Sequence, residues 1–157
     1  MRWVSVIIAS VFGAGYSPIA PGTVGALVGC IILWLGENTL MLATYPSPWF
    51  FLGLIIAVTL LGIWATNQLE KYWGKDPSKV VVDELVGVWI AMIMVPFSWV
   101  NLLLAFGLFR FFDIAKPLGI RQMEKMSRGV GVMADDILAG IYSNIVLQII
   151  IFIISIY

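Results

Sequence analysis

A chain of 157 residues that is 61% hydrophobic and 11% charged, with a mean hydropathy of +1.01, is read as one polytopic membrane domain over residues 1–157, not as a soluble globule. Nine basic and nine acidic residues cancel, and no basic run of the kind that binds phosphate backbones is present, so nucleic acid is excluded as a partner. The absence of histidine removes phosphohistidine chemistry, imidazole bases and most zinc sites, and the single Cys30 lies in an apolar run with no basic neighbour to stabilise a thiolate.

A bilayer core about 30 Å thick needs roughly 20 helical residues to cross it. Residues 3–12 are too short and are expected to form an uncleaved interfacial or re-entrant helix, although their length resembles a signal-peptide core. The first span is expected over Ile19–Gly36, with Thr23 available as a cap and Pro21 suited to the first turn. Gly22, Gly25 and Gly29 are spaced for a close-packing face. A loop over 37–48 precedes a second span from Trp49 to about Leu69, followed by a polar stretch over 70–78. Val80–Val95 and Trp99–Phe112, split by Pro96-Phe97-Ser98, form a hairpin that is deep, tilted or re-entrant, with both charged ends at one face. A polar connector over 113–134, broken at Gly129-Val130-Gly131, leads to the last span, Ile137–Tyr157. The expected fold is all-α: a polytopic helical bundle with its site at the cytoplasmic face.

Alternation of these spans puts every Lys and Arg on one side: Arg2, Lys71, Lys75, Lys79, Arg110, Lys116, Arg121, Lys125 and Arg128. The opposite loops carry only Glu37, so the basic side is assigned to the cytoplasm. The acids on that side are few, and ionisable groups beside membrane-length apolar segments mark function by default.

Three clusters stand out. Asp83-Glu84 opens an apolar segment, where two acids serve either as helix-dipole partners or as ligands, with Gly87 clearing space one turn on. Arg110, Asp113 and Lys116 share a helical face at i, i+3 and i+6, as a salt-bridge ladder or as a carboxylate held between two phosphate-binding cations. Arg128 and Gly129-Val130-Gly131 precede Asp135-Asp136, and the pattern aligns Asp136 with Gly140 and Asn144, and Asp135 with Ala139 and Ser143. Small residues below paired acids would let another helix bring its own carboxylates close. Oxygen ligands without His or Cys select a hard cation, Mg²⁺ before Mn²⁺ or Ca²⁺, and cations beside it point to phosphoryl chemistry on a lipid. The rival readings of the same acids are a small membrane cation carrier and a noncatalytic lipid-binding subunit.

Ser17-Pro-Ile-Ala-Pro-Gly-Thr23, Val82-Asp-Glu-Leu-Val-Gly87 and the stretch from Phe109 to Gly140 resemble the phosphatidylglycerophosphatase A family. The Arg-x-x-Asp-x-x-Lys-Pro and Gly-Val-Met-x-Asp-Asp-x-x-Ala-Gly elements carry most of that resemblance. Ala26 and Gly119 depart from the family's usual serine and x-Pro. The resemblance implies a Mg²⁺-dependent bacterial inner-membrane phosphatase that converts phosphatidylglycerophosphate to phosphatidylglycerol. It marks Thr23, Asp83, Glu84, Arg110, Asp113, Lys116, Asp135 and Asp136; Arg128 joins them on charge alone. Asp83, Glu84, Asp135 and Asp136 are the expected catalytic residues, and with Asp113 the expected metal ligands. Thr23, Arg110, Lys116 and Arg128 are expected to bind substrate. Attack by a metal-positioned water is expected, with an aspartyl-phosphate intermediate as the alternative.

Overall fold

The computed structural model describes residues 2–40, 48–74, 77–126 and 128–156, and all regular structure among them is helical. Among the described residues two helices are long and apolar enough to cross a membrane, α3 (Pro48–Trp73, 26 residues) and α7 (Gly129–Ile156, 28 residues). Both are apolar around much of their circumference, as helices surrounded by hydrocarbon or protein on every side must be.

Helix α1 (Arg2–Ala9) packs against α3, with its small residues Ser5 and Ala9 buried. It stops short of the expected residue 12. Val11, Phe12 and Gly13 take left-handed backbone (φ 47°, 54° and 98°) and turn the chain. Ser10 holds that turn, its hydroxyl donating to Val6 O at 2.7 Å and accepting from Gly13 N at 3.1 Å. After a single 3₁₀ turn at Ala14–Tyr16, α2 (Pro21–Leu40) begins on a proline, whose missing N–H costs nothing at that position. Thr23 is therefore the third residue of α2 and not its cap. Glu37 and Asn38 continue the helix instead of opening a loop, whereas Pro46 and Ser47 of the expected loop lie outside the described residues. Similarly, α3 runs past Leu69 into the expected polar stretch.

The centre of the molecule is α4 (Val82–Ala91), in which nine of the ten residues are buried. It lies against α2, α3, α5 and α7. Its contact with α2 uses the predicted glycine face: a Cβ on Gly29 would come 2.7 Å from Val88 Cγ1, and one on Gly25 2.6 Å from Val81 Cβ. Trp89 Nε1 donates to Gly29 O across that seam at 3.0 Å. Its contact with α7 is closer still, since a Cβ on Gly140 would lie 2.5 Å from Gly87 O and 3.0 Å from Ile90 Cβ.

The expected helix over 80–95 is shorter for an identifiable reason. Asn144 Nδ2, on α7, donates to Ala91 O at 3.0 Å and Ile93 O at 2.8 Å, satisfying carbonyls that a helix end leaves open. Ser98 then caps α5 (Trp99–Ala115), its hydroxyl accepting from Asn101 N at 3.1 Å. Lys116 ends α5 in left-handed backbone just before Pro117.

The connector expected over 113–134 is largely helical. It holds the end of α5, the short α6 (Ile120–Met123) and the first turns of α7. Gly129-Val130-Gly131 is thus the start of a helix and not a break. The break falls on Arg128 (φ 57°), and Gly129 N is capped from α3 by Asn67 Oδ1 at 2.9 Å. Gly129 also has no room for a side chain, because a Cβ there would lie 2.8 Å from Ile63 O. Asp135 and Asp136 consequently sit roughly 10 Å along α7 from its start, too deep to cap it.

Adding a methyl at the α4–α7 crossing must push two backbones apart, and overpacking of this kind costs about 1–3 kcal/mol. Gly140→Ala should therefore lower the thermal unfolding temperature in detergent. Gly53→Ala, where a Cβ meets nothing within 4 Å, should not.

Candidate metal centre

Asp83 and Glu84 stand in the first turn of α4, where the helix dipole favours negative charge. Val81, at the cap position, makes no side-chain capping bond, while Asp83 Oδ1 accepts from Glu84 N at 3.2 Å. The α4–α7 crossing sets Asp136 opposite them, one turn above Gly140. One carboxylate oxygen from each of Asp83, Glu84 and Asp136 lies within 4.8 Å of the others. Asp83 and Asp136 are buried, at 7% and 3% exposure, so water screens their repulsion poorly.

The two cations come from the end of α5. Arg110 Nη1 pairs with Asp113 Oδ2, and a Cβ on Gly22 at the start of α2 would meet both Glu84 Oε1 and Arg110 Nη1. Asp113 in turn lies within hydrogen-bonding reach of Asp136. Lys116 Nζ bonds Asp135 Oδ2 at 2.5 Å and Glu124 Oε1 at 2.6 Å, with Asp113 Oδ1 at 3.9 Å. Burial alone would push the Lys116 ammonium toward losing its proton. The bonds to Asp135 and Glu124 outweigh that and hold its pKa above the usual lysine value. With the folded value raised, the stabilisation is fully present at neutral pH and is lost only as pH climbs through that raised value.

The structure thus draws Asp83, Glu84, Arg110, Asp113, Lys116, Asp135 and Asp136 into one place, and it divides the acids. Asp83, Glu84 and Asp136 face one another, whereas Asp135 faces Lys116. Thr23 lies beside Gly22 at the edge of the cluster. Arg128 is exposed, and among the described residues no ion pair joins it to the acids. Glu124 is the addition that sequence reasoning missed. It sits eight residues beyond Lys116, across the turn at Pro117–Gly119, where no helical spacing links the two.

The donor set fits a hard divalent cation. It is anionic and made of oxygen alone, and both Glu84 Oε2 and Asp135 Oδ1 are buried with no hydrogen-bond partner among the described residues. Such acceptors are costly to bury unless a cation or donor completes them. Arg110 Nε is likewise buried without a partner, a donor left over after Asp113 has taken Nη1.

Because Lys116 joins α5 to α7, Lys116→Met should destabilise the fold by roughly 1–3 kcal/mol, much of it from leaving Asp135 unpaired. In a double-mutant cycle with Asp135→Asn, chemical denaturation should show the double variant losing clearly less than the sum of the two single losses. Simple additivity would mean that the pair contributes nothing to stability.

Comparison with known proteins gives three relatives. A Bacteroides thetaiotaomicron protein with a provisional phosphatidylinositol-3-phosphatase name is 51% identical over 148 residues, covering 92% of this chain and 91% of its own. The Haemophilus influenzae phosphatidylglycerophosphatase A is 42% identical over 143 residues, covering 89% and 84%. The Escherichia coli phosphatidylglycerophosphatase A is 35% identical over 141 residues, covering 87% and 77%. No solved structure matches the chain. With residues 7–151 matching the family model for phosphatidylglycerophosphatase A, the chain belongs to that family and is a phosphatase.

Proposed function

We infer that the protein is a Mg²⁺-dependent, multi-pass membrane phosphatase that hydrolyses phosphatidylglycerophosphate to phosphatidylglycerol and inorganic phosphate. The reading rests on one observation above the rest: three carboxylates from α4 and α7 with ligand oxygens within 4.8 Å of one another, beside the two cations of α5. Residues 1–157 form its single domain. Membership of a phosphatase family leaves the carrier and noncatalytic readings of these acids without support.

Asp83, Glu84 and Asp136 would hold the ion, with Asp113 behind them as the organiser of Arg110. When bound, Mg²⁺ supplies Lewis acidity toward a phosphoryl oxygen and a water. Arg110, through its spare Nε, and Lys116 bind the phosphate oxygens and offset charge that builds during displacement. Lys116 holds its proton too firmly to be a good acid, so it works as a fixed positive charge. Asp135, anchored to Lys116 through Oδ2, keeps Oδ1 free to take a proton from the attacking water. The water oxygen bonds to phosphorus, the bond from phosphorus to the glycerol oxygen breaks, and that oxygen takes up a proton from interfacial water. Thr23 borders the head-group space, and Arg128 offers charge at its outer edge.

The face assignment follows from the cations. Arg2 lies over the Tyr72 ring at 4.6 Å, and Lys79 over the rings of Tyr16 at 5.3 Å and Trp73 at 5.8 Å, so the start of α1 and the end of α3 share one basic end. Asn67 ties the start of α7 to that same end. By the positive-inside rule this end, with the acidic cluster, faces the cytoplasm of a bacterial inner membrane.

The name of the Bacteroides relative favours a second head group, an inositol phosphate, for which the same phosphomonoester chemistry would serve. Phosphate release by the detergent-purified protein separates the two. Phosphatidylglycerophosphate should be hydrolysed with Mg²⁺ and not in excess chelator, and phosphatidylinositol 3-phosphate poorly. Asp83→Asn and Asp136→Asn should each lose about a hundredfold or more in kcat while still inserting into membranes. Full activity in chelator defeats the metal reading, and a preference for the inositol lipid defeats the head-group assignment.

A further inference from the structure

A cavity of about 210 Å³ lies along the seam of α2 and α5, with Leu27, Ile31 and Trp34 on one wall and Trp99, Leu103 and Phe106 on the other. Its walls are apolar throughout, yet its upper end meets the charged site. Leu27 follows Thr23 by four residues, and Phe106 precedes Arg110 by four, so each pair shares a helix face. The start of α2 closes on α5 at this level, where a Cβ on Gly22 would lie 3.2 Å from Arg110 Nη1. At the other end Trp34 and Trp99 pack with ring centroids 5.5 Å apart and form a floor.

The length of the groove is informative. From Thr23 to Trp34 a helix rises about 16 Å, close to half of a hydrocarbon core about 30 Å thick. A groove one leaflet deep, dry along its walls and cationic at its rim, complements an amphiphile with an anionic head and a hydrocarbon tail. Leu27, Ile31 and Leu103 remain 45%, 52% and 66% exposed, so the groove opens sideways along its length. By contrast, the cavity bounded by Leu52, Ile56, Ile90 and Ile141 lies between α3, α4 and α7, on neither of the helices that carry Thr23 and Arg110.

We propose that the α2–α5 groove is the acyl-chain site of the lipid substrate, which enters from the bilayer between these two helices with its phosphate leading to Arg110. The proposal rests on the phosphatase reading above and adds the route and the tail site. Cys30 keeps the inner wall of α2 low, while Leu27 and Leu103 form the lips; a larger residue at either lip would fill the space without touching the acids.

The test uses the full chain in phosphatidylcholine vesicles and phosphatidylglycerophosphate with a diazirine midway along one acyl chain. Irradiation should label α2 between Leu27 and Trp34 and α5 between Trp99 and Phe106. Leu27→Trp and Leu103→Trp should each reduce that labelling, and raise KM for the long-chain substrate, by about tenfold. A short-chain soluble substrate should be hydrolysed by both variants at close to the unaltered rate, which shows them folded. Ile56→Trp, on the other cavity, should change neither readout. Label concentrated on α3 and α7, equal groove labelling by a phosphatidylcholine with the same tail, or equal loss on long- and short-chain substrates overturns the proposal. Labelling needs no turnover, so the two readings fail separately: label in the groove without phosphate release defeats the phosphatase reading, and release without groove label defeats this one.

Discussion

The contact between Gly87 of α4 and Gly140 of α7 governs the rest of the structure. With no side chain on either residue, the two backbones approach until a Cβ on Gly140 would reach Gly87 O at 2.5 Å. That approach brings the first turn of α4, with Asp83 and Glu84, against Asp136 one turn up α7. Carboxylates this close and this poorly hydrated repel, and removing them from water is itself unfavourable by several kcal/mol per ion. The crossing is tenable because positive charge is supplied around it, by Arg110 and Lys116 at the end of α5 and by the positive end of the α4 dipole, and the three facing carboxylates could hold a metal ion besides. Packing and electrostatics are here one problem, solved at one place.

The shortness of α4 belongs to the same solution. A helix that begins at the charged site and must end inside the molecule leaves carbonyls with nothing to accept from. Asn144 meets that need two turns below Asp136 on the same face of α7, and Gln148 Nε2 steadies it by donating to Asn144 Oδ1 at 2.8 Å. A single stripe of α7 therefore supplies, in order, a carboxylate for the site, a glycine for the crossing and an amide for the far end of α4. Loss of any one of the three would move the others.

Lys116 plays the part at the rim that the glycines play at the crossing. It gathers Asp113, Glu124 and Asp135, which come from the end of α5, the residues after α6 and the body of α7. Its left-handed backbone and the following Pro117 stop α5 where the ammonium can reach all three. The expected ladder of Arg110, Asp113 and Lys116 is thus real along α5, and Lys116 extends it to Glu124 and to Asp135 of α7.

Composition and the placement of small residues under the acids are local properties, so they were legible without a fold. They gave an all-helical chain with apolar helices of membrane length, the glycine face of α2 and the stripe of Asp136, Gly140 and Asn144. Helix ends were less legible, because intrinsic propensity was overruled by distant partners. Gly129-Val130-Gly131 reads as a break by propensity, yet Asn67 of α3 caps it and Gly129 lets α7 pass close to α3. Which acids meet was not legible at all. Asp135 and Asp136 are neighbours in sequence, but a helix turns them about 100° apart, so one faces Lys116 and the other faces α4. Glu124 joined the cluster only because the chain doubles back after Pro117. The sequence by itself determined which residues would be costly to leave unpartnered in an apolar chain; only the tertiary structure decided their partners, because pairing depends on how closely α4 and α7 can approach.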